Sequence, residues 1–170
     1  MVQAVIYLKK INIIKIGEFN NQEEKWIDEL IIFLSRYFKR AVQNLKTIQI
    51  DMKGKQICAN DALCLYPRDM QKEDLYLGIT RHDMYTERSE KIRTNFVYGF
   101  GPRKTKMAIV SLARINSVNQ LNKIATHELL HALGISHCKN KNCIMEEYSG
   151  TIKESTHLCR KCKKEFIKLN

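Results

Sequence analysis

Long apolar runs are missing from this sequence. No stretch approaches the roughly 20 apolar residues that cross a bilayer, so no membrane span is expected. A secretory leader is not apparent either, because Lys9, Lys10 and Lys15 interrupt the apolar residues near the start. A cytoplasmic, reducing location is therefore the expectation, and in it cysteines stay free or bind metal. Acidic residues are scarce beside basic ones: 18 Asp and Glu against 29 Lys and Arg give a net charge of +11. Such a balance favours acidic partners, whether nucleic acid, acidic peptides or a membrane surface. The basic residues are nevertheless spread along the chain, and the densest run, Arg160 to Lys164, is short. A solvated surface around the last cysteines explains that run, so nucleic acid is not the expected partner. Histidine is scarce too, with five in the chain.

What is present is concentrated. Three of the five histidines fall in residues 127 to 137, as His127-Glu128-Leu129-Leu130-His131-Ala132-Leu133-Gly134-Ile135-Ser136-His137. This is the H-E-x-x-H-x-x-G-x-x-H pattern, whose chance occurrence in such a chain is on the order of 10⁻⁵. Residues four apart share one helix face, so His127 and His131 can aim two imidazole nitrogens at one point. Glu128 sits beside them, placed to take a proton from a water that zinc has activated. Gly134 suits a left-handed helix end, after which the chain can turn back and bring His137 in as a third ligand. The helix itself is expected over about 117–133. Ser117 with Gln120 makes a capping-box start, and Leu121, Ile124, Ala125, Leu129 and Ala132 form an apolar stripe.

A second constellation follows at once. Cys138 and Cys143 form one pair, Cys159 and Cys162 another, so four of six cysteines lie within 25 residues. Four thiolates make a closed tetrahedral zinc site of the structural kind. A disulfide or buried thiols are the alternative, less suited to a reducing compartment. The segment is Lys-rich, and Phe166 and Ile167 alone would anchor it poorly, so a metal clip makes physical sense. His157, two residues before Cys159, is a weaker candidate ligand.

The run H-E-x-x-H-x-x-G-x-x-H-C-x-x-x-x-C-x-M, then C-x-x-C, resembles the archaemetzincins, a branch of the metzincin zinc peptidases with a second, Cys-bound zinc. Weaker matches lie at Gly78-Ile79-Thr80 with Asp83, at Asn95-Phe96-Val97-Tyr98-Gly99, and at Val110-Ser111 with Arg114. The resemblance implies that His127, His131 and His137 hold a catalytic zinc and that Glu128 is the general base. It further implies that Met145 forms the methionine turn, and that Cys138, Cys143, Cys159 and Cys162 hold a structural zinc. Tyr148, three residues after Met145, could approach the metal as a tyrosine does in some metzincins.

The rest reads as scaffold for one domain. Residues 2–8 suit a buried strand, and Asn20 or Asn21 can cap a helix running to about Arg40. Lys46 to Asp51 alternates like a strand, 55–66 suits a second helix ended by Pro67, and Leu75–Thr80 and Met107–Ile115 read as strands. Asn95–Phe100 could pair with the last across Gly101-Pro102-Arg103-Lys104. Cys58 and Cys64 are expected to be packed free thiols, and His82 a surface histidine near the cleft.

The fold expected is α+β and zincin-like, a mixed sheet backed by two or three helices, with residues 1–134 above the cleft and 135–170 below it. The function expected is that of a monomeric zinc-dependent peptidase with two Zn²⁺ ions, its substrate paired to an edge strand at 107–115. A catalytically silent zinc-binding protein and a nucleic-acid-binding module are the alternatives.

Overall fold

A computed structural model describes residues 8–50, 56–89, 92–93, 96–147 and 155–169. Its centre is a five-stranded sheet in the order β2-β1-β4-β9-β8. Strand β1 (Lys10–Ile16) pairs in parallel with β2 (Ala41–Ile48) and with β4 (Leu75–Thr80); β4 pairs in parallel with β9 (Met107–Ser111). The edge strand β8 (Gly99–Phe100) runs antiparallel to β9, with Gly99 opposite Val110 and Phe100 opposite Ile109. Strand β3 (Gln56–Cys58) pairs with β5 (Asp83–Tyr85), and β6 (Glu87–Ser89) with β7 (Ile92–Arg93), outside that sheet.

Helix α1 (Asn21–Phe38) is the crossover between β1 and β2. The Asn20 side chain accepts from the Gln22 and Glu23 amides while Glu23 reaches back to the Asn20 N–H, a full capping box worth about 1 kcal/mol. Lys39 ends the helix in the left-handed region at φ 54°. Helix α3 (Val118–Leu133) lies beside α1 on the same sheet face, whereas the short α2 (Ala59–Leu63) covers the other. Alternation along the strands sorts the core: Ile11, Ile13, Leu75, Leu77, Ala108 and Val110 face α1 and α3; Ile14, Ile16, Tyr76 and Ile109 face α2. Helix α4 (Arg160–Leu169) closes the chain against the end of α1, with Phe166 edge-on to Phe38 at 5.7 Å.

Several expectations need correcting. Residues 2–7 lie outside the described residues, and the first described strand is Lys10–Ile16. It was hidden by its lysines. Lys10 forms an ion pair with Asp74 at one end of the strand, and Lys15 forms one with Glu24 of α1 at the other, while every isoleucine between is buried. The strand expected from Lys46 begins at Ala41, because α1 stops two residues sooner than expected. The helix expected over 55–66 is a strand followed by one short helix, with residue 55 outside the described set. Cys58 and Cys64 flank that helix as free thiols, Cys58 buried but Cys64 exposed rather than packed. Finally, β9, expected as an edge strand, is interior over 109–110, with β8 outside it at the edge of the sheet.

Candidate metal centres

Helix α3 starts where Ser117 accepts from the Gln120 amide at 3.2 Å, and the Gln120 side chain caps the Asn116 N–H at 3.0 Å. It ends at Gly134, φ +117°, with the Gly134 and Ile135 amides folded back on the last turn. Its last two turns carry His127, Glu128 and His131, all at most 8% exposed. The chain beyond Gly134 brings His137 alongside. One ring nitrogen from each histidine lies within 4.8 Å of the others, and the His127 and His137 Nε2 atoms are 3.3 Å apart.

Backbone carbonyls decide which nitrogens face inward. His127 Nδ1 is 2.7 Å from the Ile144 carbonyl and His131 Nδ1 is 2.7 Å from the Ile135 carbonyl. A carbonyl only accepts, so each Nδ1 carries the proton and each Nε2 presents a lone pair. Burial, with smaller effects from neighbouring imidazoles, lowers His127 to about 3 and His131 to about 4, so both are neutral near pH 7, as metal ligands must be. Lone pairs converging at this distance repel unless a cation lies between them. Tetrahedral zinc with nitrogens at 2.0–2.1 Å would hold them about 3.3–3.4 Å apart, so the residues fit zinc. Met145, fully buried, follows Ile144 and so sits one residue from the carbonyl that orients His127.

Glu128 points to the edge of the sheet. Burial raises its carboxyl to about 8 against the opposing pull of the Gly101 N–H. Two glycines make room for it. A Cβ on Gly99 would stand 2.6 Å from the Glu128 Cγ, and one on Gly101 would stand 2.2 Å from the Glu128 carbonyl oxygen. The segment leading into β8 is held from outside: Arg114 donates to both Asp83 oxygens, at 2.9 and 2.7 Å, and stacks 4.1 Å over the Phe96 ring. A cleft of about 730 Å³ runs past this point, lined by Thr86, Val97, Phe100 and Arg103 besides the site residues.

The cysteines form a second group. Cys138, Cys143, Cys159 and Cys162 place their sulfurs within 4.8 Å of one another, and all four are free. Cys138 and Cys159 Sγ are 3.7 Å apart; two thiolates on a tetrahedral zinc at 2.3 Å would be about 3.8 Å apart. Backbone amides point at the sulfurs: Asn140 N–H to Cys138 and Cys159 N–H to Cys143, both at 3.4 Å. The Cys162 N–H, with the neighbouring sulfurs, lowers Cys159 to about 7, whereas burial pushes Cys143 and Cys162 up. A buried thiol cluster that resists ionisation on its own is suited to a cation that compensates it.

The structure thus brings together the three histidines and four cysteines named from the sequence as ligands, but not the weaker candidate His157. His157 is exposed and stands outside both groups; its carbonyl accepts the Ile144 N–H at 2.7 Å. His82 packs on Gly17 instead of lining the cleft. Tyr148 lies outside the described residues. Sequence reasoning missed the clearance at Gly99 and Gly101, which were legible only as a motif end and a hairpin signal, and the carbonyls of Ile135 and Ile144, which have no side-chain signature.

Comparison with known proteins gives the family and the fold. The model of peptidase family M54 matches residues 69–168. The sequence is 34% identical over 110 residues to an archaemetzincin of Methanocaldococcus jannaschii, covering 57% of this chain and 58% of that protein. It is 33% identical over 105 residues to one of Methanopyrus kandleri, covering 56% and 57%. The chain therefore spans under two thirds of the length of these relatives. In fold it is similar to the crystal structure of the Methanopyrus kandleri archaemetzincin, with TM-score 0.76 and 22% identity over 99% of this chain and 98% of that one. A second match is the archaemetzincin of Archaeoglobus fulgidus, complexed with malonate, with TM-score 0.73 and 24% identity over 92% and 99%.

Proposed function

Because this chain belongs to peptidase family M54, we propose that it is a zinc-dependent peptidase whose general base is Glu128. His127, His131 and His137 would hold the catalytic zinc, and Cys138, Cys143, Cys159 and Cys162 a structural one, giving two ions per chain. When bound, the catalytic zinc supplies Lewis-acid polarisation of water and of the scissile carbonyl. Burial alone would keep the Glu128 carboxyl protonated near pH 7, and the charge of a zinc held nearby would favour its ionised form; as a carboxylate it would take the proton of the attacking water and return it to the departing amine nitrogen as the C–N bond breaks. The observation that carries this reading is that Glu128 lines the same cleft as three convergent imidazoles, its side chain packed against Gly99 and its backbone against Gly101.

The substrate main chain would lie along β8, the free edge of the sheet at the cleft, gaining hydrogen bonds that do not depend on side chains. N-methylating one substrate amide that pairs with this edge should lower kcat/KM about tenfold; a uniform tolerance of N-methylation at all positions would remove the edge-pairing idea. We read residues 1–134 as the part above the cleft and 135–170, with Met145 and the Cys site, as the part below it. Free thiolates require a reducing compartment, so the cytoplasm is the proposed location, and the chain is proposed to act as a monomer. No described helix is long and apolar enough to cross a membrane. Metal analysis should find two zincs per chain, and peptide hydrolysis should vanish with a chelator and return with zinc. One zinc per chain, or hydrolysis indifferent to chelation, would overturn the assignment.

A further inference from the structure

We infer that the basic cavity beside the Cys site binds carboxylates of acidic peptides as they pass through the cleft; this rests on the peptidase reading above. The cavity has a volume of about 930 Å³ and is lined by His137, the two sulfur ligands Cys138 and Cys159, and the cations Lys139, Arg160, Lys161 and Lys164. His137 also lines the catalytic cleft, so the two spaces adjoin at this residue, within reach of one peptide.

Charge neutralisation of the Cys site accounts for only part of this cluster. Four thiolates around one dication leave two negative charges, whereas the wall supplies four cations. The amides of Asn140, Cys159 and, in the first turn of α4, Cys162 already serve the sulfurs. Among the described residues no carboxylate lines the cavity and none of the four cations forms an ion pair. An acidic peptide supplies what is missing. Nucleic acid fits less well, because among the described residues the lining contains no Phe, Tyr or Trp on which a base could stack.

The test measures binding of a fluorescein-labelled Glu-rich peptide and its Gln counterpart to the full, zinc-loaded chain carrying Glu128→Gln, and measures kcat/KM for both peptides with native Glu128. Combining Lys161→Glu with Lys164→Glu should weaken the Glu-rich peptide about tenfold and leave the Gln peptide unchanged, at unaltered zinc content. Lys139→Glu, on a different segment, should act in the same direction and covers the case in which the helix variant fails to fold. Both peptides are C-terminally amidated, so they differ only in their side-chain carboxylates. Equal affinity for both peptides, or no change in either variant, overturns the inference. So does tighter binding of a single-stranded oligonucleotide that these same substitutions abolish. Binding of the acidic peptide with no cleavage by the native protein supports the cavity and defeats the peptidase reading. Cleavage indifferent to glutamate content does the reverse.

Discussion

Replacing Gly101 by alanine tests whether the close approach of the sheet edge to α3 is what positions Glu128. The added Cβ would stand 2.2 Å from the Glu128 carbonyl oxygen, 2.9 Å from its carbonyl carbon and 3.1 Å from its Cα. Carbon contacts relax near 3.5 Å, so the strand end and the helix must part by about 1 Å. All three contacts are backbone atoms of a buried helix, and no side-chain rotation relieves them. The cost should sit near the top of the overpacking range, about 3 kcal/mol, which in a domain of this size lowers Tm by about 6–12 °C. A shift of about 1 Å at the base can also cost about a hundredfold in rate. Calorimetry and peptide hydrolysis on correctly metallated protein measure both. Gly78→Ala is the control: its Cβ would meet the Tyr66 hydroxyl at 2.2 Å on the opposite sheet face, so it should destabilise without lowering the rate per folded molecule. A Gly101→Ala protein with native Tm and native rate would refute the reasoning.

Cys159→Ser should lower Tm by about 10 °C, because the structural metal contributes directly to folding. His131→Ala should abolish catalytic metal binding with a milder effect on Tm; equal destabilisation by the two would refute the structural and catalytic division. Asp83 is held below the usual carboxylate range chiefly by its hydrogen bonds from Arg114. A depressed folded pKa stabilises above the unfolded value and is lost as pH falls through the folded one, so Asp83→Asn should flatten the acid limb of the stability curve; an unchanged limb by chemical denaturation would contradict this.

The candidate site was more legible than the scaffold for a physical reason. Ligands of one metal need fixed residue types at fixed spacing, and both groups are local in sequence, within 127–137 and within 138–162. Helix α3 was readable to within a residue because Ser117 and Gly134 act through local backbone geometry. Strand β4 was readable from its short apolar run and the pairing of β8 with β9 from the Gly-Pro turn, but β9 ends at Ser111 rather than Ile115 and β8 covers only Gly99–Phe100 of the expected 95–100. Strand β1 was not, because Lys10 and Lys15 find their partners in Asp74 and Glu24, far apart in sequence. The identity of the edge strand was hidden for a related reason: strand order is set by tertiary pairing, and a two-residue strand at Gly99–Phe100 carries no periodicity. The tail was judged weakly anchored from Phe166 and Ile167. Ile167 is indeed exposed, but Phe166 packs on Tyr37 and Phe38, a contact that only the packing of α4 against α1 reveals.

The most direct test is to incubate the zinc-loaded protein with a diverse peptide library, beside its Glu128→Ala variant, and to read cleavage by mass spectrometry. The account predicts products from the native protein alone, with both proteins folded and carrying the same metal. Equal products from both would contradict the role of Glu128, and no products from a folded, fully metallated native protein would contradict the peptidase itself.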